Sequence, residues 1–320
     1  MDSPQNIKKR LKSVKNIKQI TKAMELVSAV KMRKSQQIAL DSRPYAFLAL
    51  DLLATVSSLN QSSRWQFPEL FKIRKINKVL FVLVSSDKGL AGAFNSSVFK
   101  KFEQHMQRDK EKYQSEEKFF VAVGEKSASY LSKKAVNIVK KFVQSGDHTT
   151  PTQVEPLADF IVEGYLEKKW DRVVIFSTHF RSALKQEPHV RRILPIDFNH
   201  IKETVQEIIP ERGKFADLIK EHDISFVPKN SQAARKEYLI EPSPEKVLLK
   251  LAKHLFFMQI YHLILEANAS EHSARRLAMK TASDNASDLA SALNLQYNKS
   301  RQSAITKEII EIIAGAEALS

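Results

Sequence analysis

The sequence contains no cysteine, and only 7 of its 320 residues are glycine. Without cysteine the chain can form neither a disulfide nor a thiolate metal site, and it has no cysteine nucleophile. It also lacks any stretch that approaches the roughly 18 consecutive apolar residues of a membrane-spanning helix. The basic N-terminus has neither the apolar core nor the cleavage site of a secretory signal, so we interpret it as mature structure.

Acidic residues are outnumbered by basic ones, 36 against 51, which gives a formal charge of +15. A charge of this size predicts acidic partners, such as nucleic acid, a membrane surface or acidic protein loops. The hydrophobic content of 43% is sufficient for a core and for one to three structural units.

Signatures of catalytic and cofactor sites are missing as well. The turn SSDKGLAGAFN (85–95) follows an apolar run, at the place where doubly wound folds bind phosphates. It matches neither GxGxxG nor GxxxxGK[ST], and we predict a tight strand-to-helix turn without a ligand. His254, His262 and His272 lack the spacing of a metal site, and no GxSxG elbow occurs. We therefore predict no catalytic, cofactor or metal site.

The C-terminal segment, residues 243–320, reads as one uninterrupted helix. It has no proline after Pro244, which follows Ser243 at a plausible helix start, and its only glycine is Gly315. At ~1.5 Å per residue this helix would extend roughly 110 Å, too far to be buried within one domain. Its tip is apolar nearly all round and predicts an apolar socket on another protein. The predicted coiled-coil seam comprises Leu277, Leu289, Leu293, Tyr297, Ile305, Ile309, Ile312 and Ala316.

A second long helix is predicted over residues 1–60, starting at Ser3-Pro4 and kinked at Pro44. Helical spacing of apolar residues suggests that it pairs antiparallel with the C-terminal helix. The predicted seam consists of Ile7, Leu11, Val14, Ile17, Met24, Val27, Val30 and Ile38.

Basic residues cluster on this N-terminal helix, opposed only by Asp2 and Glu25. Three interpretations stay open: a solvated face, a phosphate-binding face, or a face that contacts acidic loops of a protein partner. The helix has no aromatic residue before Tyr45 to stack on bases, which weighs against nucleic acid. The basic residues are Lys8, Lys9, Arg10, Lys12, Lys15, Lys18, Lys22, Lys31, Arg33 and Lys34.

The middle of the chain changes to short apolar runs that alternate with helical segments. This pattern predicts a small parallel α/β (Rossmann-like) domain over 78–200, after a connector at 61–77 and before an irregular segment at 201–242. The predicted fold class is thus α/β with a rod-like antiparallel coiled coil formed by the terminal helices. The predicted strands are 78–84, 119–123, 173–177 and 193–196, with two further short strands considered at 224–227 and 238–240; the predicted helices are 96–108, 125–133 and 151–168.

Three stretches together resemble the gamma subunit of the rotary F-type ATP synthase. They are IKKRLKSVKNIKQITKAMELVSAVKMRKSQ (7–36), SSDKGLAGAFNSS (85–97) and the segment from Ser270 to Leu319. The resemblance implies a non-catalytic shaft, one per complex, inside a ring of alpha and beta subunits. The apolar tip would sit in the bearing of the ring, and the α/β domain at the foot beside the epsilon subunit and the c-subunit ring. One departure is Ala93, where the family usually has a second glycine.

The resemblance also implies a mechanism and a set of contacts. Rotation of one asymmetric shaft would change nucleotide affinity at each beta subunit in turn, and so couple proton flow to ATP synthesis or hydrolysis. The expected location is the cytoplasmic face of the bacterial inner membrane, as a peripheral protein. The alternatives are a basic coiled-coil nucleic-acid-binding protein and a free-standing nucleotide-binding α/β enzyme. The implied partner contacts are Lys22 and Met24 toward acidic loops of beta, and Arg301, Gln302, Thr306, Glu308, Glu311, Ile312, Ile313 and Leu319 toward the ring and its bearing.

Overall fold

The computed structural model describes residues 3–41, 68–111, 113–143, 149–196, 241 and 243–317. The chain divides into two compact units, one formed by residues 1–29 with 275–320 and the other by residues 30–274. We call them the helical unit and the sheet unit. The predictions for Pro44, for the strands near 224–227 and 238–240 and for Leu319 lie outside the described residues.

Two long helices run through the ends of the chain, α1 at Pro4–Asp41 and α5 at Pro244–Glu317. Each begins at the serine-proline pair predicted to start it. The Ser3 hydroxyl accepts a hydrogen bond of 3.4 Å from the Asn6 N–H, and the Ser243 hydroxyl accepts one of 3.4 Å from the Lys246 N–H. These serines cap first-turn N–H groups that have no partner within the helix.

The sheet unit contains a five-stranded sheet with strand order β3-β2-β1-β4-β5. The first four strands are parallel and β5 is antiparallel to β4. The predicted α/β class is confirmed, although the predicted strand at 193–196 overlaps only the last two residues of a longer antiparallel strand. The elements, in chain order, are β1 Lys78–Val84, α2 Phe94–Arg108, β2 Glu117–Val123, α3 Glu125–Lys133, β3 Ile138–Phe142, α4 Pro151–Leu166, β4 Arg172–Phe180 and β5 Gln186–Leu194.

Helices cover both faces of this sheet. On one face, α2 and α3 pack through Val98, Phe102 and Leu131 against side chains of β1, β2 and β4. On the other, α4 and the first part of α5 pack through side chains such as Ile161 and Phe256. Burial on both faces explains why the central strand β1 is a continuous apolar run, KVLFVLV.

One helical stretch, Glu245–Ala314, contains an 18-residue window apolar enough by composition to cross a membrane. Of that window, 61% is buried within the protein. The apolar character is therefore that of a helix that crosses a core, where it packs on the sheet.

Candidate partner-binding surface

The helical unit is held together by a small apolar cluster. Ile7, Leu11 and Leu293 are buried together, and the partly buried Tyr297 packs against them. Farther along α1, Lys18 Nζ donates a hydrogen bond of 2.9 Å to the hydroxyl of Ser287. Residues later in α1 thus meet residues earlier in α5, and the predicted antiparallel pairing is confirmed.

The contact face of α1 differs from the predicted seam beyond Val14. The contact face contains Ile7, Leu11 and Val14, which follow one another at spacings of four and three residues. The same spacing then continues through four polar residues. The predicted seam residues Ile17 and Val27 are instead each 51% exposed, and the prediction was wrong for them and for Val30, which is 65% exposed. The polar series consists of Lys18, Thr21, Glu25 and Ser28, of which the last three are buried.

Local hydrogen bonds make this polar seam possible. The Thr21 hydroxyl donates to the Ile17 carbonyl at 2.9 Å, and Glu25 Oε2 accepts from Lys22 Nζ at 2.9 Å. The Lys22 side chain is 57% exposed, so the buried Glu25 carboxylate holds an ammonium group at the surface. On α5, the buried positions include Ser283 and Ala286, whose small side chains favour close approach of the helices.

An apolar stripe lies on the exposed surface of α1. It is formed by Ile17, Ile20 and Val27, all more than half exposed, together with the partly exposed Met24. Their spacing of three, four and three residues places them along one face of the helix. At ~100° per residue, Lys22 lies roughly 180° around the helix from this stripe, on its opposite side. Exposed apolar patches of this kind mark protein-interaction surfaces.

The last turns of α5 run past the start of α1. Tyr297 packs beside Ile7, and the helix of α1 begins only three residues before Ile7, so α1 has no described residues to cover α5 beyond about Arg301. The isoleucine side chains there are exposed, and the predicted seam was wrong at Ile305, Ile309 and Ile312. Exposed isoleucines of this segment are Ile305, Ile309, Ile310, Ile312 and Ile313, with exposed fractions of 48–70%.

Most residues implied as ring contacts lie on this uncovered segment, and each of those described there is exposed. Thr306 donates its hydroxyl to the Gln302 carbonyl at 2.9 Å, and Glu311 lies 3.5 Å from Lys307. The contacts Arg301, Gln302, Thr306, Glu308, Glu311, Ile312 and Ile313 therefore share one accessible region with the isoleucines. Leu277 and Leu289, also assigned to the seam, are exposed at 47% and 48%.

The glycine-containing turn after β1 is occupied by its own polar groups. Asn95 Oδ1 accepts from the Ser86 N–H at 3.0 Å, and the Ser86 hydroxyl donates to the Lys88 carbonyl at 2.7 Å. Asp87 Oδ1 accepts from the Glu125 N–H at 3.0 Å, at the start of α3. A carboxylate from this turn thus caps the N-terminus of the neighbouring helix α3.

The alanine that departs from the usual two-glycine turn is accommodated easily. Ala93 has φ −83°, which any residue adopts, whereas Gly92 has φ +54°. Only the first position therefore requires the conformational freedom of glycine. Among the described residues, no group of three or more histidine, aspartate or glutamate side chains is arranged to hold a metal ion.

Comparison with known proteins gives matches over the whole chain. A family model described as ATP synthase matches residues 3–319. An ATP synthase gamma chain from Opitutus terrae is 37% identical over 98% of this chain and 98% of its own length. One from Roseiflexus castenholzii is 35% identical over 100% of this chain and 99% of its own.

Solved structures share the fold at low sequence identity. A chain of the Euglena gracilis mitochondrial ATP synthase, in a structure of its OSCP, F1 and c-ring, superposes with a TM-score of 0.61 at 16% identity, over 99% of this chain and 94% of that one. A chain of the Tetrahymena thermophila mitochondrial central stalk and c-ring gives a TM-score of 0.54 at 22% identity, over 82% and 99%.

Proposed function

We propose that this chain, which belongs to the ATP synthase gamma-chain family, is the central rotor shaft of an F-type ATP synthase. In this role it couples proton-driven rotation to ATP synthesis or hydrolysis in a ring of alpha and beta subunits. The observation that carries the proposal is the long α5 helix, whose last turns expose five isoleucines beyond the reach of α1. Such a surface requires a partner.

The apolar end of α5 is proposed to turn in an apolar bearing of the ring. Full burial of an isoleucine is worth about 1.5–3 kcal/mol relative to water, and these side chains are half to two-thirds exposed in the free chain. Ile312, Ile313 and Leu319 would lie in the bearing. Arg301, Gln302, Thr306, Glu308 and Glu311 would form the polar contacts just below it.

The basic side of α1 is proposed to meet acidic loops of the beta subunits. Lys22 is suited to this contact because its ammonium is exposed yet positioned by Glu25, so less side-chain freedom is lost on binding. Met24 belongs to the exposed apolar stripe on the opposite side of the helix, which would contact apolar side chains of the beta subunits. As the shaft turns, each beta subunit meets a different face, and differential contacts shift its nucleotide affinity.

The sheet unit is proposed as the foot, in contact with the epsilon subunit and the c-subunit ring at the cytoplasmic face of a bacterial inner membrane. One copy would serve each complex, and the chain itself would supply no catalytic group. Nothing in the described residues favours the nucleic-acid alternative.

Native mass spectrometry tests the proposal. The chain is co-expressed with the alpha and beta subunits of its organism in three forms. These are the full-length chain, a truncated chain that ends at Glu308, and a full-length control with Ile73→Ser. Ile73 is 87% exposed and belongs to the sheet unit, so its replacement removes an exposed isoleucine away from the tip. We expect one copy per three alpha and three beta, with binding weakened only by the truncation. Three copies of the chain per complex, or no association with alpha and beta, would refute the proposal that it is the shaft.

A further inference from the structure

A stripe of buried polar residues runs along α5 where it crosses the sheet unit. Gln259, Glu266, Ser270 and Ser273 recur at steps of seven, four and three residues, which places them on one side of the helix. All four are less than a tenth exposed. This side of the helix therefore faces protein rather than water.

Glu266 is the charged centre of the stripe. Its Oε2 lies 3.1 Å from Nδ1 of His179 on β4 and 3.8 Å from Nη1 of Arg191 on β5. The three side chains are at most a tenth exposed, and the ring of His189 lies 5.7 Å from that of His179. One carboxylate thus connects α5 to both strands at the edge of the sheet.

Neutral hydrogen bonds extend the connection along the same side. The Ser273 hydroxyl donates to the Ala183 carbonyl at 2.7 Å, in the turn between β4 and β5. Gln186, at the start of β5, donates its side-chain N–H to the Ser273 hydroxyl at 3.3 Å. The β4–β5 ribbon is therefore bonded to α5 at two levels, seven residues apart.

A second set of bonds holds the opposite flank of the helix. The Tyr261 hydroxyl donates to the Thr149 carbonyl at 3.3 Å, and the Asn268 side-chain N–H donates to the Thr149 hydroxyl. Tyr261 and Asn268 are also seven residues apart. At ~100° per residue, their flank lies roughly 140° around the helix from that of Glu266 and Ser273. Apolar side chains on the wider arc between the two flanks, such as Ile260, fill the core on the sheet.

We propose that Glu266 is a positioning residue that prevents α5 from rotating about its own axis within the sheet unit. The hydrophobic effect is non-directional and does not by itself set an angle, whereas hydrogen bonds lose strength when their angle changes. Bonds on two separated flanks oppose rotation in both senses. The inference rests on the proposed rotor function. A rotor transmits torque, so rotation of α5 relative to the sheet would reduce the torque that reaches the ring.

The cost of burying the cluster supports this role. Two buried ions pay a desolvation penalty that their attraction often fails to recover, and apolar replacements of similar volume are frequently as stable. A patch of apolar side chains at the same positions would therefore stabilise the fold about as well as the charged cluster does. What the charged cluster adds is a fixed angular position of the helix.

The test separates stiffness from stability. Two variants are assembled with alpha and beta subunits: Glu266→Gln, and a triple apolar variant His179→Phe, Arg191→Met, Glu266→Met. The control replaces the exposed pair Glu167 and Lys169 with methionine, since their 2.6 Å ion pair lies on the surface of the same unit. Angular fluctuations of a bead attached to the sheet unit report torsional stiffness while the ring is fixed, and thermal unfolding of the free chain reports stability.

We expect the triple variant to keep its unfolding midpoint but to lose torsional stiffness and stall torque, and the control to match the wild type. Glu266→Gln should lose stiffness too, since a neutral amide attracts the Arg191 guanidinium only weakly. If the triple variant folds and has the torsional stiffness of the wild type, the inference is overturned. If the triple variant does not fold, wild-type stiffness in Glu266→Gln overturns it. Failure of the rotor proposal would appear separately, as a wild-type chain that does not assemble with alpha and beta.

Discussion

Replacing Leu293 by alanine should destabilise the helical unit far more than the same replacement at Leu295. Leu293 is 5% exposed and packs with Ile7 and Leu11, whereas Leu295, two residues farther along the same helix, is 72% exposed. The chemical change is identical at both positions. Only the environment of the side chain differs.

The expected magnitudes follow from burial. Truncation of a buried leucine costs about 2–5 kcal/mol, and we expect the lower part of that range because two paired helices can close around the lost volume. At Leu295 the free energy of unfolding should change by less than about 0.5 kcal/mol, since little area is buried there and alanine is a good helix former.

Urea unfolding of the isolated chain, followed by circular dichroism, measures both effects. A double-mutant cycle adds Ile7→Ala, and residues in contact should show an interaction energy of about 0.5 kcal/mol or more. Equal losses at Leu293 and Leu295, or strictly additive effects of Leu293→Ala and Ile7→Ala, would refute the pairing register deduced from the cluster.

Two further predictions concern the sheet unit. Gly164→Ala should destabilise it by about 1–3 kcal/mol, because an added Cβ would lie 1.9 Å from Cζ2 of Trp170; Gly89→Ala, with open space around it, is the control in the same unfolding assay. The Lys134 ammonium, 2.7 Å away, lowers the pKa of Glu103, so this pair stabilises the folded state above the unfolded pKa of about 4.3 and the effect is lost as pH falls through the lowered value. The difference in unfolding midpoint between Glu103→Gln and wild type at neutral pH should therefore vanish in acid, and a difference that persists there would contradict this assignment.

The sequence predicted the buried elements of the sheet unit well and its edges poorly. The run 78–84 was predicted as a strand and is β1, because a strand covered on both faces is continuously apolar. The edge strand β3, Ile138–Phe142, was not predicted, since its Lys140 and Lys141 are exposed and interrupt the apolar signal. Most of β5 was missed for a related reason: its polar residues, such as Arg191, bind the polar stripe of α5 rather than an apolar core.

The pairing of α1 with α5 was predicted from the sequence, but the contact face of α1 was predicted wrongly beyond Val14. Apolar periodicity in α1 was attributed entirely to the seam, yet after Val14 the seam continues through Thr21 and Glu25. These polar residues fit because hydrogen bonds to their own helix or a neighbouring lysine satisfy them, which no periodicity rule detects.

The apolar residues that were predicted in the seam but lie outside it indicate where a partner binds. In a chain that packs only on itself, an apolar stripe one position away from the contact face would expose Ile17, Ile20 and Val27 without compensation. The same holds for Ile309 and Ile312 at the end of α5. An apolar pattern that is wider than the internal contact face therefore indicates a partner outside the chain. The excess of apolar positions, more than the seam itself, is what the sequence of a rotor shaft should display.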